Sequence, residues 1–529
     1  MSWAEPVTRK GWTLLAAVLG SSIVFLDSTV VNVALPRIGQ ELPAMLFGVL
    51  EGQSYIYNGY LLTLSALLIL AGALSDYYGR RRMFIVGLLG FGVTSAACGL
   101  APNVEALVLM RVLQGAMGAM LIPGSLAIIR SAFEGEEQGR AFGLWSGASA
   151  GTTILGPFVG GLLVDTLSWR VAFLMNVPLV AIALWAAVRH VRESRDEEAT
   201  GSFDWLGAAV VALGVGGLAF GTIYGQQREW QDRLAFVALG VGTVATVAFP
   251  FLMRRAAHPL VPLSLFRSRN FTVTNLSTLV IYGSLYVNFY YMPLFLHGTL
   301  GYSAAAGGLA GVPASLLLAL FSARSGALAA RYGPRWFMAV GPVLMSLGVF
   351  WLSRLPADSQ PWLLRPSDPA SMVPPMSYVV DVLPAMLMFG VGLMLVVAPL
   401  TTALMTSVPA HQAGLASSIN NAISRVGPQI VGAIVFVAIT SSFYQGLSAR
   451  VPGLDQSQPD VRHQISPLNP PPEGTPPQLA AAAREASADA FHLAMKVGAS
   501  LLVVGGLING LGIRKQEPLN QPTAARVVP

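Results

Sequence analysis

The sequence predicts an all-α membrane protein, built as two six-helix bundles plus two inserted helices, about fourteen transmembrane helices in all. Three observations carry this. Hydrophobic residues make up 54% of the 529 positions and charged residues 11%, with a mean hydropathy of +0.60, which is the composition of a polytopic membrane protein. Apolar runs of about 20 residues, long enough to cross a bilayer, recur along the whole chain. The chain also repeats itself: Gly72-Ala73-Leu74-Ser75-Asp76-Tyr77-Tyr78-Gly79-Arg80-Arg81 returns in worn form as Gly326-Ala327-Leu328-Ala329-Ala330-Arg331-Tyr332-Gly333-Pro334-Arg335.

Taken in order, the first run, 12–35, is too long for a signal-peptide core and holds Asp27, so it reads as a retained first helix. Runs at 50–74, 83–102, 105–129, 139–164 and 171–189 complete an N-terminal bundle over 1–190. A charged linker opens the segment 191–270, whose runs at 204–225 and 233–253 form the inserted pair; Gly214, Gly216, Gly217 and Gly221 there read as ordinary close helix packing. Runs at 271–297, 304–328, 335–355, 378–403 and 410–443 give the first five helices of a C-terminal bundle, 271–446. The second decapeptide follows the run at 304–328 as the first follows 50–74, which sets the two bundles in register. The stretch 447–489 is an extracytoplasmic loop rich in Pro, Gln and Ala, expected to lack a packed core. A final helix over 490–513 and a cytoplasmic tail over 514–529 end the chain. Two related bundles are the ground plan of a secondary transporter, with substrate bound between repeats that rock against each other.

Orientation follows from the basic residues, which concentrate in cytoplasmic loops. With both termini inside, the arginine-rich loops at 80–82, 130–140, 189–195, 254–269 and 331–335 face the cytoplasm, and the opposite short loops hold only Arg37, Arg170, Arg228, Arg233, Arg354 and Arg365. The net charge of +6 is therefore topology, and no basic stripe is left for nucleic acid. Only three of the basic residues are lysines, Lys10, Lys496 and Lys515, and none sits in a phosphate-binding loop. The six histidines lack metal-ligand spacing or a nucleophile partner, so neither an enzyme nor a metal site is expected. Cys98 is alone, which rules out an intrachain disulfide.

An ionisable group inside a membrane span is a functional candidate by default. Asp27 is one, and Arg111 is its expected partner. Counted from the outer ends of their runs at ~1.5 Å per residue, both lie roughly 10 Å below the outer surface. In one reading Asp27 takes and gives up a proton while Arg111 competes for it; in the other the pair only holds two helices together. Asn421 and Arg425, four apart, share a helix face that must point at a cavity or at a neighbouring helix. Arg324 lies near a helix end, where snorkelling to the interface explains it. Gly151, Gly156, Pro157, Gly160 and Gly161 allow a kink and close helix contact. Tyr282, Tyr286 and Tyr290 recur at steps of four beside Phe289, forming an aromatic stripe that either lines a cavity for flat ligands or packs helices.

Together these residues resemble the fourteen-helix drug:proton antiporter branch of the major facilitator superfamily, over nearly the whole chain. Leu26-Asp27-Ser28-Thr29-Val30-Val31-Asn32-Val33-Ala34-Leu35-Pro36 is similar to that branch's first-helix signature, in which the Asp is required for proton-coupled export. Gly72 to Arg82 resembles the superfamily's cytoplasmic loop motif, which implies that Asp76, Arg80 and Arg81 latch the bundles and Gly79 permits the turn. Arg111-Val112-Leu113-Gln114-Gly115 resembles the fourth-helix motif of proton transfer. Gly151 to Gly161 resembles the fifth-helix motif of antiporters, and Trp169 to Pro178 the pattern that follows it. Two departures stand out: Ala330 replaces the acid in the second loop copy, and Tyr55 stands where relatives usually carry Trp. Later-helix acids are limited to Asp381, so monocations or neutral amphipaths are expected over dications.

The resemblance implies a proton-coupled multidrug efflux antiporter of the inner membrane, multi-pass, driven by the proton gradient with no cofactor. Its expected partners are a small amphipathic substrate, protons and the lipid bilayer; a monomer is expected, with accessory export proteins left open. Candidate cavity residues are Asn32, Tyr55, Gln114, Tyr282, Tyr286, Phe289, Tyr290, Asn421 and Arg425. A dedicated exporter of an endogenous metabolite or lipid, and a transport-inactive sensor or scaffold, are the alternatives.

Overall fold

A computed structural model describes residues 9–514, apart from 44, 46–48, 196–202, 229, 366–367, 452–464 and 472–473. Most of the tail, Lys515 included, lies outside it. The described chain is helical throughout, as it must be where lipid offers no partner to backbone N–H and C=O groups.

The N-terminal bundle contains α1 (Arg9–Glu41), α2 (Val49–Tyr78), α3 (Arg80–Gly99), α4 (Val104–Gly118) with α5 (Leu121–Ala132), α6 (Gly135–Thr166), and α7 (Trp169–Leu174) with α8 (Asn176–His190). The inserted pair is α9 (Trp205–Gln227) and α10 (Arg233–Arg255). The C-terminal bundle contains α11 (Arg269–Leu294), α12 (Ala304–Ala310) with α13 (Val312–Tyr332), α14 (Arg335–Leu352), α15 (Leu383–Thr406), α16 (Ala413–Arg450) and α17 (Pro477–Gly512). Thirteen helical segments are long and apolar enough to cross a membrane among the described residues, and α6, at 32 residues, joins them. Polar caps open several helices where the chain re-enters: Asn103 accepts from Ala106 N, Asp232 from Leu234 N and Ser303 from Ala306 N.

The decapeptide repeat is a structural repeat. Gly79 links α2 to α3 at φ 109°, and Gly333 links α13 to α14 at φ 90°. That left-handed conformation strains any residue with a Cβ, so the same glycine makes the same turn in both halves. The two turns mark one side of the molecule, called the turn side here.

The bundles meet tightly on that side along two seams. In one, Gly72 of α2 faces the Gly414 carbonyl and Ser418 of α16. In the other, Gly139, Gly143 and Gly147 of α6 lie against Gly326, Ser322–Ala323 and Ala319 of α13. Further along, the second seam loosens: a Cβ on Gly151, or on Gly307, Gly308 or Gly311 at the start of its partner, would meet nothing within 4 Å among the described residues. The described close contacts between the bundles thus concentrate on the turn side.

The inserted helices pack on each other through Gly217 and Gly242, and α9 leans on α2, with Gly216 next to Ala66. The far-side stretch 447–489 differs from expectation. α16 runs on to Arg450, and α17 begins at Pro477, well before 490. Arg450 pairs with Glu485 at 2.9 Å and Asp489 at 2.7 Å, Ile465 and Leu468 are buried, and Tyr444 donates to the Ile465 carbonyl. The alanines of 480–490, read as low complexity, are instead the strongest helix formers, and they extend the final helix beyond its apolar run.

Candidate functional site

Asp27 points from α1 into the interior of the N-terminal bundle and is 1% exposed. Arg111 on α4, fully buried, brings Nη1 within 2.5 Å of Asp27 Oδ2. The same nitrogen donates to Gln114 Oε1 at 2.8 Å, and Gln114 Nε2 donates to Asp27 Oδ1 at 3.1 Å; the two residues are three apart and share a helix face. Asn176, at the start of α8, donates to Asp27 Oδ1 at 2.9 Å and to Ser95 Oγ of α3 at 3.0 Å. Ser95 Oγ in turn donates to the Phe173 carbonyl. The guanidinium of Arg111 lies over the Tyr60 ring and donates through Nε to the Ile56 carbonyl. Donors from α4 and α8 therefore meet on one carboxylate of α1, with α2 and α3 holding those donors in turn. A buried charge without such partners would be strongly destabilising. Arg111 Nη2 and Asn176 Oδ1 are buried without partners among the described residues, so the shell is incomplete and can rearrange.

The antiporter glycines support this shell from outside. Gly156 and Gly160 of α6 press on Thr29 and Val30 of α1, just past Asp27, and Gly161 reaches Val33. Gly151 instead faces open space. Pro157 lies in α6, and its side chain falls outside the described residues.

On the turn side, Asp76 and Arg80 are buried and paired at 3.0 Å. Asp76 accepts from the Leu415 amide at 2.8 Å and the Gly414 amide at 3.3 Å, at the N-terminus of α16; a helix start, with its free N–H groups and positive dipole end, favours such an anion. Arg80 Nη2 donates to the Ala410 and His411 carbonyls just before that helix. One ion pair from the N-terminal bundle thus clasps the first turn of a C-terminal helix. Arg81 stays within its own half, reaching the Val188 carbonyl, while Glu193 accepts from the Arg81 and Arg82 amides. Ala330, in place of the second acid, packs near Gly139.

The expected cavity residues divide. Gln114 is part of the Asp27 shell inside the bundle. Tyr55 faces sideways, lining an apolar pocket of about 320 Å³ with Leu62, Val112, Phe220 and Ile223, between α2, α4 and α9. Tyr282 is packed against the C-terminal core. Asn421 donates back to the Ser417 carbonyl of its own helix. Of the rest, Asn32, Phe289 and Tyr290 are exposed, the Tyr286 and Tyr290 rings stack at 5.4 Å with an interplanar angle of 7°, and Phe289 meets Phe389 edge-on. Arg425 lies on α16, which packs on α2. Arg324 is exposed beside Phe321, as snorkelling requires. Asn176, Ser95 and Tyr60 were not singled out from the sequence; a lone Asn within an apolar run was the available signal for the first.

The comparisons with known proteins agree with this architecture. The Major Facilitator Superfamily model matches residues 17–432. The Tetracenomycin C resistance and export protein of Streptomyces glaucescens is 32% identical over 439 residues, covering 83% of this chain and 78% of its own. The multidrug resistance protein Stp of Mycobacterium tuberculosis is 33% identical over 460 residues, covering 86% and 80%. Among solved structures, a double-Trp mutant of XylE superposes with a TM-score of 0.58 at 14% identity over 93% of this chain and 94% of its own, and the human organic anion transporter MFSD10 does so at 0.58 and 12% over 96% and 100%; at such identities the likeness is one of fold. This chain belongs to the Major Facilitator Superfamily.

Proposed function

We propose that the protein is a proton-coupled efflux antiporter that exports amphipathic drugs or toxic compounds across the cytoplasmic membrane by alternating access, with both termini in the cytoplasm. The observation that carries this reading is the Asp27 shell: one carboxylate, buried in a membrane bundle and held by Arg111, Gln114 and Asn176. The names of the relatives, resistance and export proteins, support export as the direction.

The turn side is then cytoplasmic, and the described arrangement is the outward-open one. A proton arriving from outside neutralises Asp27 and removes the charge that holds Arg111 Nη1. The guanidinium then needs other acceptors, and the conformation that offers them gains population. Arg111 also stacks on Tyr60 of α2, the helix on which α16 of the opposite bundle packs, so a change at Asp27 is carried to the contact between bundles through one ring. Release of the proton inward restores the ion pair and resets the cycle.

The test is transport of ethidium by purified protein in proteoliposomes under an imposed pH gradient. Wild type should move the dye only with the gradient, and Asp27→Asn, which keeps shape but cannot titrate, should fold and fail to do so. Gradient-driven transport by the Asn variant at the wild-type rate would remove Asp27 from coupling.

A further inference from the structure

Among the described residues, one arginine within a membrane helix has a buried guanidinium nitrogen that no acid answers. Arg111 is answered by Asp27, and Arg80 by Asp76. Asp381 sits near the far-side end of α15, accepting from Ser359. Arg425, about a third of the way along α16, has no carboxylate within ion-pair distance and makes no hydrogen bond among the described residues; its Nε is buried with no partner. Its surroundings are aromatic. Arg425 lies on α16, which packs on α2, the helix that carries Tyr57 and Tyr60. Two turns further along the same face of α16, Gly432 lies against the Tyr286 ring, so the stacked pair Tyr286–Tyr290 adjoins the face that presents Arg425. A guanidinium is a planar fork of donors that matches a carboxylate or other planar oxyanion, and it keeps its charge at any physiological pH. Left unanswered beside a cavity, it makes the local potential positive, which attracts anions and repels cations.

We propose that the cavity between the bundles takes substrates that carry an acidic group, a carboxylate or phenolate on a flat aromatic framework, with Arg425 binding the acid and the Tyr286–Tyr290 stack receiving the rings. This deepens the efflux reading above and rests on it. It also reverses the preference for monocations or neutral amphipaths drawn from the scarcity of acids: the same scarcity, set beside an unanswered arginine, favours anions. Export fits the arrangement electrically. An anion neutralises Arg425 on binding, so the loaded cavity carries less net charge through the midplane than the empty one, which lowers the desolvation penalty of closing around it.

Binding and transport are measured separately. Binding uses purified protein in a nonionic detergent, with fluorescein as the acidic flat probe and ethidium as the cationic one, followed by fluorescence anisotropy. Fluorescein should bind more tightly than ethidium. Arg425→Gln should weaken fluorescein by about tenfold or more, as for the loss of a charge-assisted pair, Arg425→Lys should weaken it less, and ethidium should be unaffected or improved. Equal weakening of both dyes by Arg425→Gln, or fluorescein binding that ignores the substitution, overturns the proposal. Gradient-driven proteoliposome transport of either dye, lost in Asp27→Asn, judges the efflux reading independently: such transport with no Arg425-dependent fluorescein binding would leave the antiporter standing and the acidic-substrate site refuted.

Discussion

The guanidinium carbon of Arg111 lies 4.0 Å from the centre of the Tyr60 ring, whose hydroxyl donates to the Val24 carbonyl at 3.1 Å. Tyr60 thereby touches Arg111 with its face and α1 with its edge. A cation held over a desolvated ring is worth up to about 2 kcal/mol. Tyr60→Phe keeps the ring and should retain most transport, losing only the hydroxyl bond, about 1 kcal/mol. Tyr60→Ala should reduce gradient-driven export by more than tenfold at comparable expression. Equal activity of the two variants would show that the ring has no part in coupling.

Arg111→Ala removes the partner of a buried charge and should be as harmful to transport as Asp27→Asn, with an added loss of stability of about 3 kcal/mol or more because Asp27 is left unpaired. The double variant Asp27→Asn, Arg111→Ala should recover part of that stability and none of the transport. Thermal unfolding in detergent reads the first effect, and the proteoliposome assay the second.

Asp76 holds the turn side shut through the Gly414 and Leu415 amides, so Asp76→Ala should change conformational balance and leave binding intact. Spin labels at Arg140 and Arg331, in a Cys98→Ser background, report the gap between α6 and α13 by pulsed electron resonance. The Ala variant should populate a longer distance and transport more slowly, while dye binding in detergent stays within about twofold, well under the tenfold that 1.4 kcal/mol would give. Binding lost in proportion to transport would refute the clasp.

Gly143 offers a steric version of the same test. A Cβ there would meet the Ser322 carbonyl and the Ala323 backbone, neither of which can swing aside. Gly143→Val should force the seam apart by a side chain's width and lengthen the same label distance, whatever the pH. An unchanged distance would place the bundles further apart than described here.

The aromatic stack should set substrate range. Tyr286→Ala or Tyr290→Ala should weaken aromatic substrates by ~1 kcal/mol or more and leave the Asp27-dependent response to pH unaltered. Uniform loss of every substrate with lowered expression would mean that the rings serve packing alone.

Much of this was legible in the chain. The decapeptide repeat located both turns, and equal depth paired Asp27 with Arg111. Spacing also places Gln114 on the Arg111 face, but a helical face does not say which neighbour it meets, and the fold turns it to Asp27. The tyrosine stripe divides for a geometric reason. Steps of four overshoot the 3.6-residue turn, so from Tyr282 to Tyr290 the direction rotates by roughly 80°, enough to send Tyr282 into the core and leave Tyr290 at the open side. Asn176 and Ser95 lie in separate apolar runs with no periodicity to join them; only the fold brings them to one carboxylate.

The replacement of the second acid by Ala330 gives the two turn-side seams different material properties. Between α2 and α16 the contact is ionic and directional, so parting it requires Asp76 and Arg80 to trade backbone partners for water one at a time. Between α6 and α13 the glycines offer only smooth, short-ranged contact, which yields by sliding and regains its strength at whatever register the helices next settle in. The molecule therefore has a fastener on one flank and a bearing on the other.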